Sequence, residues 1–259
     1  MSERIVIKTP REIELMRKAG RVAAGARSIA REAVRSGATT KQINKCIHDY
    51  IVKNGATPTF LNYEGFPGSA CISVNEEVIH GIPGKRSIRN GDIVSVDIGA
   101  TLNGYVGDCA GTFACGPVSE GAQRLIDVTR QSFFEALKFA KVGYRMSDIG
   151  AAVQDYVEGH GYSVVREYVG HGVGRNLHEA PEVPNYRPER RLFGQSNPRL
   201  VKGMTIAIEP MVIAGGYEVE ILKDEWTVVS ADRTLSAHYE NTVVITDGEP
   251  EILTMADDI

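Results

Sequence analysis

Hydrophobic residues recur at helical spacing in four stretches of the chain. In the first stretch, Thr9 suits the N-cap, Pro10 suits the first helical position, and Glu12 completes a capping box. Apolar residues then return every three or four positions toward Gly37, which predicts a long amphipathic helix. The same periodicity predicts further helices at about 40–54, 119–141 and 147–160.

Short apolar runs bounded by glycine and proline lie between and after these helices. We predict strand and loop over residues 56–82. Strands are predicted at 92–98, 105–113, 163–169, 204–213, 217–222, 226–230 and 237–246. Helices and strands interspersed in this way predict a fold of the α/β (α+β) class.

A weak internal repeat relates the two halves of the chain. Residues 90–108 can be laid over residues 202–220, so that Tyr105 meets Tyr217 and Asp97 meets Glu209. Few identities support the alignment, but both copies place an acidic residue at the same point of an apolar strand. We therefore predict one domain over residues 1–259, built from two similar halves whose strands face one cleft.

The strands at 92–98 and 105–113 form the clearest hairpin signal, because Asn103-Gly104 lies between them. With these two residues as the turn, Asp108 lies opposite Gly99, which shares a face of its strand with Asp97. The two carboxylates are then diagonal neighbours, roughly 7–8 Å apart at the backbone. Either aspartate alone could pair with an arginine or end a strand. Together they predict a divalent cation, which relieves both their repulsion and their burial.

Two histidines lie seven positions apart in the segment "YVGHGVGRNLHEAP". The surrounding glycines oppose a helix, so His171 and His178 do not form the helical H-E-x-x-H motif. No helical pattern follows these glycines, which also argues against a dinucleotide-binding loop. Two histidines in one glycine-rich turn favour a functional role over a structural one.

Other candidate ligands stand in or beside apolar runs. Glu209 comes directly before Pro210, Glu240 precedes a β run, and His80 precedes a Gly-Ile-Pro-Gly turn. His238 shares the Glu240 face by alternation, which allows it a supporting role. Glu220 is the repeat counterpart of Asp108 and competes with Glu240, and residue spacing alone leaves this choice open.

Composition restricts the partners and the cellular compartment that are expected for the chain. Hydrophobic residues make up 42% and charged residues 24%, and the net charge of -4 provides no global basic field for nucleic acid or a membrane. No apolar run reaches the ~18 residues that span a bilayer, and no signal peptide is expected. The four cysteines form no C-x-x-C pair, which predicts a reduced, cytoplasmic protein. We expect a monomer.

A polar loop at 184–199 carries several basic residues, namely Arg187, Arg190, Arg191 and Arg199. Transient contact with ribosomal RNA is one interpretation of this loop, and a solvated surface segment is the other.

Five segments resemble, in order and spacing, the motifs of bacterial type I methionine aminopeptidases. They are "HGIPG", "SVDIGATLNGYVGDCAGTF", "GHGVGRNLHE", "TIAIEPM" and "LSAHYENTVVIT", and the similarity extends from about residue 4 to 255. The resemblance implies the pita-bread fold, in which two pseudo-symmetric halves with a central antiparallel sheet and outer helices surround two divalent metal ions. It also implies a cytoplasmic hydrolase that excises the N-terminal methionine of nascent polypeptides, with a preference for a small second residue.

By matching position, the resemblance implies a set of five metal ligands: Asp97, Asp108, His171, Glu209 and Glu240. Asp108 and Glu240 would bridge the metals, which favours Glu240 over Glu220. Catalytic roles would fall to Glu209 as a proton acceptor, to His178 as a donor toward the oxyanion, and to His80 in positioning the scissile amide. Co, Mn, Fe or Zn would suit this ligand set, and ligand type does not choose among them.

The resemblance also maps a pocket for the methionine side chain onto Phe60, Tyr63, Phe66, Cys71, Leu177 and Trp226, with His80 at its edge. His80 and His178 take the positions of substrate-contacting histidines. Leu177 stands where similar bacterial enzymes have Phe, and Phe60 stands where some have Cys; both differences affect the shape of the pocket. Two alternatives remain: a related enzyme that cleaves Xaa-Pro bonds, and a non-catalytic binding protein that has kept the fold.

Overall fold

The computed structural model describes residues 4–187 and 197–255. The four helices are α1 (Pro10–Ala33), α2 (Thr40–Lys53), α3 (Glu120–Leu137) and α4 (Met146–Gly159). All four predicted helices are present, and α1 begins with the predicted capping box of Thr9 and Glu12. Helix α1 ends before Gly37, because Val34 is already extended. No helix in the described ranges combines the length and the apolarity needed to cross a membrane.

Fifteen strands accompany the helices in the described residues. They are β1 (Thr57–Pro58), β2 (Cys71–Val74), β3 (Glu77–Ile79), β4 (Ile93–Leu102), β5 (Tyr105–Ala114), β6 (Ser163–Val164), β7 (Gly170–Gly172), β8 (Glu179–Val183), β9 (Thr205–Ile208), β10 (Met211–Ile213), β11 (Val219–Ile221), β12 (Val228–Ser230), β13 (Ser236–His238), β14 (Asn241–Val244) and β15 (Glu251–Ile252).

The first half of the fold is organised around the β4–β5 hairpin. Asn103 and Gly104 both have positive φ, 53° and 76°, as a two-residue hairpin turn of type I′ requires. The predicted register is confirmed, with Gly99 opposite Asp108. Strands β1 and β2 pair with the other edge of β4, and α1 and α2 cover this half.

Helix α1 packs very closely against β5. A Cβ atom at Gly107 would lie only 2.5 Å from backbone atoms of Gly20, so glycine is required where the helix meets the strand. Odd-numbered residues of β5 therefore face α1, whereas Asp108 faces the opposite side of the hairpin.

The second half contains a five-stranded sheet in the order β15-β14-β9-β7-β8, packed beside α3 and α4. It joins the first half directly at β5. The backbones of Ala110 and Glu240 exchange hydrogen bonds of 3.1 and 3.3 Å, and the Thr242 hydroxyl bonds to both the backbone N–H and the carbonyl oxygen of Asp108. Residues of both halves thus meet around Asp108.

Two predicted long strands are each interrupted at an acidic residue. The run 204–213 divides into β9 and β10 around Glu209-Pro210, because proline has no N–H for the ladder. The run 237–246 divides at Tyr239-Glu240, where the Glu240 backbone bonds to Ala110.

Other predicted elements differ in length or pairing. The predicted strand 163–169 is reduced to Ser163–Val164. Strand β11 pairs with β12, so the second copy of the proposed repeat does not form the β4–β5 type of hairpin. The division into two related halves remains a prediction. Residues 188–196 of the basic loop, including Arg190 and Arg191, lie outside the described residues.

Candidate metal centre

Asp97 and Asp108 lie on one face of the β4–β5 hairpin, as the predicted register requires. Gly99, directly opposite Asp108, leaves space on that face, and the Phe60 ring fills it. A Cβ atom at position 99 would lie 2.6 Å from Phe60 Cε1. The absence of a side chain at Gly99 therefore brings an aromatic wall close to the two carboxylates.

His171 projects toward these carboxylates from β7. Its Nδ1 lies 2.9 Å from the Gly172 carbonyl oxygen, a contact that fixes Nδ1 as the protonated nitrogen. The free Nε2 lies 3.7 Å from Asp108 Oδ2 and 3.5 Å from Glu209 Oε1. A histidine with this second hydrogen bond is suited to metal ligation.

The positions of Glu240 and Glu220 show which of the two glutamates lies with the other candidate ligands. Glu240 is buried, and its Oε2 lies 3.8 Å from His238 Nε2, which is also 4.0 Å from Glu209 Oε2. Glu220 is exposed on β11 and forms an ion pair of 2.6 Å with Arg233. The structure therefore brings Glu240 into the cluster and leaves Glu220 outside it.

Burial makes this cluster of carboxylates costly to ionise. It raises the pKa of Asp97 to about 7. Burial, and then the charges of the neighbouring carboxylates, raise the pKa values of Asp108, Glu209 and Glu240 well above their usual range. One oxygen of each of these four carboxyl groups has no hydrogen-bond partner among the described residues.

The donor set fits divalent cations. Four carboxylates and one neutral imidazole converge, since burial first and then His178 lower the pKa of His171 to about 3. The unpartnered oxygens provide free lone pairs, and cations would remove the repulsion that raises the carboxyl pKa values. Oxygen and imidazole ligands suit Mn, Fe, Co or Zn and leave the identity of the metal open.

The cluster forms one side of a cavity of about 130 Å³. All the residues to which the family resemblance assigns a site role line this cavity: Phe60, Tyr63, Phe66, Cys71, His80, Asp97, Asp108, His171, Leu177, His178, Glu209, Trp226 and Glu240. Phe66 and Trp226 form an edge-to-face pair with ring centroids 5.1 Å apart. The cavity thus combines a carboxylate-rich side with an apolar, aromatic side.

His178 and His80 border the cavity as neutral side chains. Burial lowers the pKa of His178, and burial together with the nearby His178 lowers the pKa of His80 to about 4. The Tyr63 hydroxyl lies 2.9 Å from His178 Nδ1. When Tyr63 donates this bond, Nε2 of His178 carries the proton and can donate it to a ligand.

Sequence reasoning missed several residues around the cavity. Glu64 lines it from a left-handed turn, with φ of 50°. Lys8 forms a buried ion pair of 2.5 Å with Glu179, whose other oxygen accepts the backbone N–H groups of Arg175 and Asn176. This pair holds the loop that carries Leu177 and His178. In the sequence, Glu64 is next to Tyr63 and Glu179 is next to His178. This adjacency is the one signal that could have identified the two glutamates as neighbours of the cavity.

A buried cluster of four carboxylates and a histidine, at the end of a cavity between two α/β halves, is typical of a metal-dependent hydrolase. Comparison with known proteins identifies the family within this class. The model of metallopeptidase family M24 matches residues 14–247.

Methionine aminopeptidase of Clostridium acetobutylicum is 52% identical over 255 residues, which cover 98% of this chain and 100% of the relative. Methionine aminopeptidase 1 of Bacillus subtilis is 48% identical and covers 96% of this chain and 99% of its own length. The crystal structure of methionine aminopeptidase from Thermotoga maritima superimposes with a TM-score of 0.93 at 43% identity, covering 97% and 100% of the two chains. The chain belongs to metallopeptidase family M24 and, within it, to the methionine aminopeptidases. The predicted pita-bread fold is confirmed.

Proposed function

We propose that this chain removes the N-terminal methionine of nascent proteins and peptides, preferring a small second residue. The observation that supports this proposal is the convergence of unpartnered carboxylate oxygens with His171 beside an apolar cavity. The cavity, at about 130 Å³, is small enough to select one side chain and the peptide group next to it. Family membership and high identity to methionine aminopeptidases support the same assignment.

Five side chains would hold two divalent cations. In our assignment Asp97 would hold one cation, His171 and Glu209 would hold the other, and Asp108 and Glu240 would contribute oxygens to both. When bound, such cations lower the pKa of water and polarise a peptide carbonyl. His238 Nε2 lies 3.8 Å from Glu240 and 4.0 Å from Glu209 and has no hydrogen-bond partner among the described residues, so it is available to orient either carboxylate after a small approach.

The protein side chains then move protons and orient the peptide. Glu209 accepts the proton of the attacking water and delivers it to the leaving amine. His178, neutral and oriented by Tyr63, donates a hydrogen bond to the oxygen that becomes negative during attack. His80, which lines the same cavity, positions the scissile amide.

The apolar side of the cavity suits a thioether. Phe66 and Trp226 present ring edges and faces, with which polarizable sulfur makes favourable contacts. Burial raises the pKa of the Cys71 thiol well above its usual range, so Cys71 stays uncharged and behaves as a small apolar wall. Phe60 and Leu177 complete the pocket.

We propose a monomer acting in the cytoplasm, where nascent polypeptides present their N-terminal methionine. The described arginines of the 184–199 loop make internal contacts: Arg187 pairs with Asp155, and Arg199 donates to the Gly143 carbonyl oxygen at 3.2 Å. These contacts favour a solvated surface loop over transient ribosome contact.

The substrate assignment is tested by comparing peptides. We expect the metal-loaded enzyme to hydrolyse Met-Ala-Ser and to leave Ala-Pro-Ala intact, because the aromatic side of the cavity can contact a thioether side chain, which alanine lacks. Chromatographic detection of free methionine measures the reaction. Preferential hydrolysis of Ala-Pro-Ala would instead identify an Xaa-Pro enzyme, and hydrolysis of neither peptide at any metal loading would identify a non-catalytic binding protein.

The role of His178 is tested by the substitution His178→Ala. We expect kcat for Met-Ala-Ser to fall by about 10²–10³-fold with a much smaller change in KM, since the hydrogen bond to the oxyanion strengthens in the transition state. Steady-state kinetics measures this split. His160→Ala provides the control, because His160 lies at the end of α4 and bonds to the Tyr156 carbonyl oxygen. Equal kcat in the two variants would contradict the assignment.

A further inference from the structure

A second and larger cavity lies on the side of the β4–β5 hairpin that faces away from Asp108. It measures about 550 Å³, within the range of small-molecule sites. Helix α1 contributes one wall, α3 contributes the other, and the end of β5 forms the floor with His238 and Tyr239. The cleft shares His238 with the surroundings of the candidate metal centre, but none of the five proposed metal ligands lines it.

The cleft contains a buried cation, Arg27, which has no anionic partner among the residues that the structure describes. Arg27 is 4% exposed, and its guanidinium donates to the carbonyl oxygens of Ala110, Glu240 and Thr254 and to Asn241 Oδ1. All four acceptors are neutral, so within residues 4–187 and 197–255 the positive charge is held in place but not compensated. A buried charge of this kind favours an anion at the adjoining surface.

Two further arginines border the same cleft. Arg31 follows Arg27 by one helical turn on α1, and Arg130 projects from α3 on the opposite wall. Over residues 4–187 and 197–255, none of the three arginines forms an ion pair, and no aspartate or glutamate lines the cleft. Guanidinium groups on facing walls suit the several oxygens of a phosphorylated ligand.

The remaining lining includes flat, partly exposed apolar groups. Phe113 and Tyr239 provide aromatic rings, and Ile126 provides an aliphatic contact from α3. Aromatic rings beside arginines are the usual platform for a nucleic-acid base. We infer that this cleft binds a phosphorylated small molecule with a planar ring, of the nucleoside diphosphate class. The inference rests on these residues and is independent of the proposed peptidase activity.

Calorimetric titration of the metal-loaded protein with ADP tests the inference. Excess divalent metal in the buffer keeps chelation by the diphosphate from depleting the candidate metal centre. We expect saturable binding of ADP to a single site and weaker binding of both pyrophosphate and adenosine. The double variant R31A/R130A should weaken ADP binding by about tenfold or more, because each substitution removes a charge-assisted hydrogen bond.

A matched double variant controls for net charge. Arg21 on α1 and Arg124 on α3 lie outside the cleft, and R21A/R124A removes the same charge from the same helices. Unchanged ADP affinity in this control, together with the loss in R31A/R130A, supports the cleft. Absence of ADP binding at millimolar concentration, or equal loss in both double variants, would overturn the proposal. Equal affinity for pyrophosphate and ADP would overturn the assignment of the ring.

Discussion

Replacing Glu209 by glutamine is expected to lower kcat for Met-Ala-Ser by about 10²–10⁴-fold. Glutamine keeps the shape of the side chain but cannot accept a proton. Glu209 lies at the break between β9 and β10, and its Oε1 is 3.5 Å from His171 Nε2. This placement restricts where the side chain at position 209 can lie. Steady-state kinetics of the metal-loaded variant, with KM and kcat separated, measures the effect.

Metal content decides how this loss arises. If the variant binds the wild-type amount of metal and still loses kcat, proton transfer is the missing function; a loss of metal identifies Glu209 as a ligand first. Glu220→Gln is the matched control, since Glu220 is the repeat counterpart of Asp108 but lies exposed beside Arg233. Wild-type turnover by Glu209→Gln would contradict both roles.

The hairpin that carries two of the proposed ligands could be predicted from sequence because its geometry is local. Asn103-Gly104 fixes the turn, the turn fixes the register, and the register places Asp97 and Asp108 on one face. The start of α1 was predictable for the same reason, since its capping box involves residues only three positions apart.

The rest of the cluster depends on contacts between distant segments, which residue spacing does not specify. Glu240 reaches Asp108 only because its backbone pairs with Ala110 across the two halves. The alternative, Glu220, had equal support from the repeat and is exposed because β11 pairs with β12. The family resemblance supplied the choice between them, and the structure supplies the physical reason.

The arginine-lined cleft was missed for a related reason. Its walls come from α1 and α3, and the overall charge of -4 conceals a local concentration of positive charge. Arg27 lies on the buried, alanine-rich face of α1, where the hydrophobic periodicity predicts an apolar residue. That its hydrogen-bond acceptors in the described part of the chain are all neutral is seen only when the ends of the strands and Thr254 are placed around it.

Without divalent cations, the protein is expected to lose stability as the pH rises from 7 to 8.5. Burial and mutual repulsion raise the folded-state pKa values of Asp108, Glu209 and Glu240 well above their usual range. A carboxyl group with a raised pKa keeps its proton in the folded chain at pH values where the unfolded chain has released it, so raising the pH makes unfolding more favourable. Each carboxyl group that is still protonated contributes a loss of about 1.4 kcal/mol per pH unit.

The histidines do not mask this effect. His171 and His238 have folded-state pKa values of about 3, so their contribution to stability is lost only below the unfolded value near 6.5.

Denaturant unfolding in the presence of a chelator at several pH values measures how steeply the free energy of unfolding changes with pH. Saturating metal should restore stability most at pH 8.5, because cations bind the deprotonated carboxylates. Asp108→Asn should flatten the slope of the metal-free protein, whereas Glu220→Gln should leave it unchanged. A metal-free protein equally stable at pH 7 and 8.5 would show that the buried carboxylates are already ionised, and the repulsion that cations are proposed to relieve would then be absent.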